Sequence, residues 1–292
     1  MQTDSVRQTV AVCGSTGRVG GAVARRLLEH GWRVRALTRK PRGEKARALV
    51  EIGAEVVAAD MNEPASLQGP LAGAYGVFSV QNGLKSGFDK EVRQGRNVAD
   101  TAHACGVRHL VYLSTVVGTA PTGIRSWDSK LAVEAHMKNL RLPATVLRPT
   151  AFMELMIDKA YSPAVGTWNI WPRLMGDDKP IPWIAVSDIG AVAERVFAEP
   201  EHFIGKEMYL TADVKTLGEC RSIYQEVTGR PPRSSSMPLW LFDLFTRKDL
   251  TRMWTWLGKH EVPADTAVTR ELLPSALTVR EWLETKSAEL SS

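Results

Sequence analysis

An α/β fold built on a doubly wound parallel sheet, with a smaller and partly interleaved C-terminal domain, is what this sequence predicts. Three observations carry the prediction. Short apolar strands alternate with helix-period segments over residues 1–155. A glycine-rich loop stands directly between the first strand and the first helix. After about residue 155 the alternation gives way to a texture rich in tryptophan and proline.

The elements follow in order. TVAVC (9–13) is the first strand, and VGGAVARRLLEHG after the loop is a helix ending at Gly31. WRVRALT is the second strand, EKARALVEIG a helix and AEVVAAD the third strand. PASLQGPLAG is a short helix, VFSVQ the fourth strand, and a long helix spans about 88–105. RHLVYLST is the fifth strand, RSWDSKLAVEAHMKN (125–139) an amphipathic helix, and PATVLRP the sixth strand. Right-handed crossovers between such strands build one parallel sheet. Residues 182–212 are expected to return to this domain, and the remainder of 156–292 to form the smaller one. There EMYLTAD (207–213) reads as a strand, GECRSIYQEVTG (218–229) as a helix and RPPRSSSMP as a loop. Trp168, Trp171, Trp183, Trp240, Trp254 and Trp256 crowd this region. They serve either core packing or an aromatic substrate pocket above the sheet.

Composition narrows the function classes. The chain has 292 residues, 44% hydrophobic and 24% charged, ordinary material for a globular protein. No apolar run approaches the roughly 18 residues of a membrane span, and MQTDSVRQ at the start lacks the apolar segment of a signal peptide. Cys13, Cys105 and Cys220 are odd in number and far apart, which fits a reducing, cytoplasmic setting. The six histidines show no metal-ligand spacing, so no metal is expected. The net charge of +5 is scattered, with RKPR (39–42) the densest cluster; this argues against nucleic acid and is explained as well by anionic small ligands.

The loop Gly14-Ser15-Thr16-Gly17-Arg18-Val19-Gly20 carries the clearest chemistry. Gly14 makes the tight turn, Gly17 admits a pyrophosphate to the backbone, and Gly20 allows close helix–sheet packing. The helix N-terminus offers free N–H groups and partial positive charge to that anion. The second strand ends in Thr38-Arg39-Lys40, with no acid to bond ribose hydroxyls. An arginine grips a 2′-phosphate with paired charge-assisted bonds, so NADP(H) is favoured over NAD(H), and Arg18 adds to the same pocket. Asp60, followed by Met61, either bonds an adenine amine or caps the next turn. Val80 and Gln81, closing the fourth strand, complete the cofactor candidates.

The loop GSTGRVG, the strand end VRALTRKP, and the segments GAEVVAADMNEPASL, LRPTAFMELM, VSDIGAVA and ALTVREWL together resemble the NmrA-like family, an atypical branch of the short-chain dehydrogenase/reductase superfamily. The resemblance implies a Rossmann domain binding NADP(H), a smaller C-terminal domain and a cleft between them. It also implies one of two roles: a reductase, several of which act on quinones, or a cofactor-sensing regulator that binds a protein partner. The wider superfamily places a Tyr-x-x-x-Lys pair on the helix after the fifth strand. Here Lys130 stands at the lysine position, where it would hold the nicotinamide ribose, and Ser126 stands at the tyrosine position. The tyrosine acid is therefore absent, and Trp127, three residues before the lysine, walls the nicotinamide pocket or packs the helix. Ser114 and Thr115 stand near the superfamily's hydroxyl position, with Val116 an alternative register; both hydroxyls could instead terminate the strand. Phe152, Met153, Met156 and Trp168 at the implied cleft suit a small apolar or aromatic substrate, a plugged site or a docking surface.

General acid catalysis is worth roughly 10²–10⁴-fold, or about 3–5 kcal/mol of barrier. An unactivated ketone needs that help, whereas a quinone or conjugated carbonyl delocalises the product anion and needs less. The expected function is therefore NADPH-dependent reduction of an activated acceptor. The alternative is a non-catalytic NADP(H) sensor.

Overall fold

Val10, Ala11 and Val12 have no exposed surface, because a strand apolar on both faces must lie inside a covered sheet. The computed structural model describes residues 8–118, 120–157, 166–234, 236–246 and 248–291, so most of the polar start of the chain and Ser235 of the expected loop lie outside the described residues. The chain runs through β1 (Thr9–Val12), α1 (Arg18–Glu29), β2 (Arg33–Thr38), α2 (Glu44–Glu51), β3 (Glu55–Ala58) and α3 (Pro64–Leu71). It continues with β4 (Gly76–Ser79), α4 (Gly83–Ser86), α5 (Phe88–Ala104), β5 (His109–Leu113), α6 (Arg125–Asn139), β6 (Ala144–Pro149) and β7 (Ala151–Phe152). Next come α7 (Trp171–Met175), β8 (Ile181–Ile184), α8 (Val186–Ala198), α9 (Pro200–Phe203), β9 (Glu207–Leu210) and β10 (Asp213–Lys215). The last helices are α10 (Leu217–Thr228), α11 (Leu239–Thr246), α12 (Asp249–Lys259), α13 (Ala267–Leu272) and α14 (Val279–Ser291).

Among the described residues, seven strands form a parallel Rossmann sheet in the order β3-β2-β1-β4-β5-β6-β9. The strand order reverses between β1 and β4, and open α/β sheets bind ligands at that reversal, beyond the carboxyl ends of the strands. Val12 pairs with Phe78, so Gly14 and Val80 emerge side by side there. The expected strand 207–213 divides. Its first part joins the large sheet as β9, while β10 pairs antiparallel with β8 in a three-stranded sheet, β10-β8-β7. The break lies at Thr211 and Ala212, whose N–H groups donate to Thr269 Oγ1 (2.8 Å) and to the Trp183 carbonyl (2.8 Å).

The chain divides into two compact units. The first comprises residues 1–115, 126–148 and 189–208; the second comprises 116–125, 149–188 and 209–292. In the first, Leu67, Leu71, Val98, Leu110, Tyr112, Val133 and Met137 share one buried cluster. Burying each large aliphatic there contributes about 1.5–3 kcal/mol. Gly95 on α5 lets α6 approach closely, since a Cβ at that position would lie 2.5 Å from Val133 Cγ2. In the second unit, Trp171 stacks on Trp183 (5.9 Å between centroids, 15°) and meets Trp254 at 3.9 Å. The Glu154 carboxylate accepts from the Val186 N–H at 3.1 and 3.2 Å, capping the start of α8.

Candidate functional site

Gly14 and Gly20 have the turn and packing geometry that their spacing implies. Gly14 adopts φ +64°, which L side chains rarely take, and a Cβ there would lie 3.0 Å from Val80 Cγ1. A Cβ on Gly20 would collide with the Gly14 carbonyl, so that position keeps α1 tight against β1. Gly17 is exposed, donates its N–H to the Gly14 carbonyl (2.8 Å), and no side chain caps α1. The first turn of α1 contains no acid either, leaving its positive end available to an anion. Ser15, by contrast, turns inward: its hydroxyl donates to the Leu37 carbonyl (2.9 Å) and ties the loop to β2. Thr16 and Arg18 are partly exposed and Val19 is buried.

Arg39 and Lys40 are exposed just past β2, and neither side chain has an ion pair or hydrogen bond with a described residue. Asp60 makes an Asx turn, with Oδ1 accepting from Asn62 N (2.9 Å) and Asn62 Nδ2 (2.7 Å). Of its two sequence readings, the turn is the one this geometry displays. The Met61 sulfur lies 3.5 Å from Gln81 Nε2, and its carbonyl accepts from Asn97 Nδ2 (2.9 Å). Gln81 is buried; Nε2 donates to Ser79 Oγ (2.9 Å), and Oε1 has no partner among the described residues. A buried acceptor left unmade costs about 1–3 kcal/mol, an arrangement that fits a site completed by a ligand's donor.

Lys130 is half-sheltered on α6, and its Nζ lies 2.8 Å from Oε1 of Glu91, which is only 1% exposed. The other carboxylate oxygen accepts from Ser129 Oγ at 2.7 Å. The pairing follows from helix geometry: Glu91 precedes Gly95 by one turn on α5, as Ser129 precedes Val133 on α6, so the close contact aligns both turns. Ser126, one turn before Lys130, keeps a buried Oγ without a partner among the described residues. Trp127 is buried at 5% exposure.

Ser114 belongs to a separate network. Its hydroxyl donates to Glu134, which pairs with the wholly buried Arg148 (Nη2–Oε2 2.6 Å). Arg148 also reaches Glu207 (2.7 Å) and the Thr115 carbonyl (3.2 Å). Burial pushes the Glu134 carboxyl up, against the opposing pull of Ser114 and Arg148. In the second unit, Met153, Met156 and Trp168 are buried, and the Trp168 indole N–H donates to the Met156 carbonyl (2.9 Å); Phe152 is partly exposed. The geometry thus joins the loop, Met61, Val80 and Gln81 at the strand reversal, while Ser114 faces an internal ion-pair network.

Sequence reasoning missed Glu91, Glu134 and Arg148. An arginine inside the apolar strand ATVLRP was the available signal, because a buried guanidinium demands carboxylates. Glu91 carried no such signal, since an acid in the first turn of a helix is ordinary. Among the described residues no group of three or more His, Cys, Asp or Glu could hold a metal, and no helix is long and apolar enough to cross a membrane.

Comparison with known proteins agrees with this architecture. The chain is 32% identical over 239 residues to the NmrA-like family domain-containing oxidoreductase notA of Aspergillus sp., covering 73% of this chain and 70% of that one. Its fold matches NmrA, a negative transcriptional regulator solved with NADP (TM-score 0.73, 21% identity, 95% and 94% of the two chains). It also matches the Citrobacter sp. triphenylmethane reductase complexed with NADP(H) (TM-score 0.74, 20% identity, 96% and 99%). The family model described as NmrA-like spans residues 6–283, and with the loop, sheet order and helix motifs above it establishes that the chain belongs to the NmrA-like family.

Proposed function

We propose that this protein is an NADPH-dependent reductase of an activated acceptor, such as a quinone or conjugated carbonyl. The observation that carries the proposal is the cradle at the strand reversal: three glycines let the loop turn tightly against an uncapped helix, and the side chains of Arg39 and Lys40 at the end of β2 pair with no described residue. The related triphenylmethane reductase, bound to NADP(H), acts on another delocalised acceptor by its name. When bound, the nicotinamide supplies a hydride. The turn at Gly14 and Gly17, with the N-terminus of α1 that Gly20 holds against the sheet, would receive the pyrophosphate, Arg39 and Arg18 the 2′-phosphate, and Asp60, Met61, Val80 and Gln81 the adenosine side. Lys130 would hold the nicotinamide ribose with the N–H donors that Glu91 leaves unused. Ser126 replaces the acid; an aliphatic hydroxyl gives up no proton near neutral pH, so the acceptor must stabilise its own product anion. Trp127 is the candidate for an apolar wall beside the nicotinamide.

A cofactor sensor is the second reading, favoured by the commitment of Ser114 to Glu134 and of Lys130 to Glu91. NADPH oxidation measured against quinones, conjugated carbonyls and simple ketones separates the two. The reductase turns over the first two classes and not the third. Tight NADPH binding with no turnover on any of them establishes the sensor instead.

A further inference from the structure

α11 presents the most exposed large apolar side chains among the described residues: Trp240 and Leu244 at 68% and Phe245 at 74%. With partly exposed Leu241 they cover one continuous arc of the helix, at 100° per residue. Phe242 points the other way and is buried against Ile170, Leu174, Met237, Leu239 and Leu250, which fixes the orientation of the helix. Water-facing patches of this kind mark interaction sites, because removing a Trp, Leu or Phe side chain from water is favourable.

Charge identifies the occupant. Between residues 230 and 260 the sequence carries Arg230, Arg233, Arg247, Lys248, Arg252 and Lys259 against Asp243 and Asp249. Both acids are engaged within the unit: Asp249 is buried and accepts from the Arg125 N–H (3.0 Å), and Asp243 accepts from Thr251 Oγ1. Exposed cations bracket the apolar arc. At its start Arg173 Nη1 donates to the Met237 carbonyl (2.9 Å), and at its end Lys248 N donates to the Asp243 carbonyl (3.1 Å), with exposed Arg252 one turn on. A second copy of this chain would bring like charges together around the patch. An anionic bilayer offers the opposite charge and an apolar layer at the depth the Trp, Leu and Phe side chains reach.

We infer that α11 is a peripheral anchor that lays Trp240, Leu241, Leu244 and Phe245 into an anionic lipid surface. This departs from the reading of the sequence as having no membrane partner, requires no spanning segment, and is independent of the reductase reading. The whole protein is co-sedimented with vesicles of phosphatidylcholine alone or mixed with phosphatidylserine, at low and raised salt. The anchor predicts binding to the mixed vesicles, weakened by salt. L244S/F245S lowers the partition coefficient by more than about tenfold. K248A/R252A lowers it about 25-fold, at roughly fivefold per cation. Retention of the wild-type circular dichroism spectrum by both variants shows that the surface, not the fold, has changed. Absence of binding, or equal binding to the two vesicle types, overturns the inference. So does a concentration-dependent dimer without lipid that L244S/F245S abolishes, because the patch is then a contact between copies.

Discussion

Lys130 Nζ and Glu91 Oε1 lie 2.8 Å apart, and the carboxylate of the pair is buried at 1% exposure. The lysine is thus a fixed group on α6, held from α5 through the close helix contact at Gly95. Removing one member of a buried pair strands the other charge, which costs about 3–5 kcal/mol. Lys130→Ala is accordingly expected to lower unfolding stability by about 3 kcal/mol, and adding Glu91→Gln to restore most of it. Urea denaturation of both variants checks this. Equal stability of Lys130→Ala and wild type would show the pair to be energetically idle. Turnover is best compared in the double variant, where folding no longer confounds chemistry.

Arg39 stands exposed past β2, and its side chain has no partner among the described residues. A charge-assisted hydrogen bond is worth about 1.5–3 kcal/mol, so Arg39→Ala should weaken NADPH binding roughly ten- to a hundredfold. NADH affinity should stay within about twofold, because that nucleotide lacks the 2′-phosphate. Calorimetric titration of the variant with each nucleotide measures both changes, and an equal loss for the two would remove Arg39 from the phosphate site.

Gly20→Ala tests the close approach of α1 to the loop. Its Cβ would meet the Gly14 carbonyl carbon at 2.6 Å and the Cys13 carbonyl oxygen at 2.9 Å, backbone atoms that cannot swing aside. Overpacking of this kind costs about 1–3 kcal/mol. We expect a lower Tm together with weaker binding of both nucleotides, and an unaltered Tm would show that the loop yields easily.

Two buried groups give stability opposite pH slopes. His109 has no exposed surface, its Nε2 meets Thr145 Oγ1 at 2.7 Å, and burial pushes its pKa down to about 4. Thr145 spends its own proton on the Phe203 carbonyl (2.8 Å), so Nε2 carries the hydrogen. A depressed pKa gives stability present above the unfolded value of 6.5 and lost as pH falls through 4, about 3 kcal/mol in all. Asp188, buried and bonded by the Leu277 N–H (2.9 Å), is pushed by burial up to about 6. Its contribution is present below the unfolded value of 3.8 and lost as pH rises through about 6, again about 3 kcal/mol. Asp188→Asn should therefore gain about 1.4 kcal/mol on wild type as pH rises from 5 to 8, because only the interval from 5 to about 6 lies below the folded-state pKa. NMR of the His109 ring should report a neutral imidazole at pH 5, and a charged ring there would contradict its burial.

The sheet was legible because period-two and period-3.6 patterns alternate cleanly, and the glycine loop because three residues without side chains satisfy three steric demands at once. β9 and β10 were less so, since EMYLTAD is one apolar run and only the bonds of Thr211 and Ala212 divide it. Lys130 could be placed on its helix, but Glu91 is 39 residues away, and long-range pairing leaves no mark in local periodicity. The tryptophans show the same limit. Trp171, Trp183 and Trp254 pack inward while Trp240 faces out, although all lie in the same texture of sequence.

The central claim is that the cradle of the first unit receives NADPH. The most direct measurement is a tryptophan-fluorescence titration of the wild-type protein with NADPH and with NADH under identical conditions. The dissociation constant for NADPH is expected to be at least about tenfold lower, the equivalent of one charge-assisted contact at about 1.4 kcal/mol per decade. No quenching by either nucleotide, or an affinity for NADH equal to or greater than that for NADPH, contradicts it.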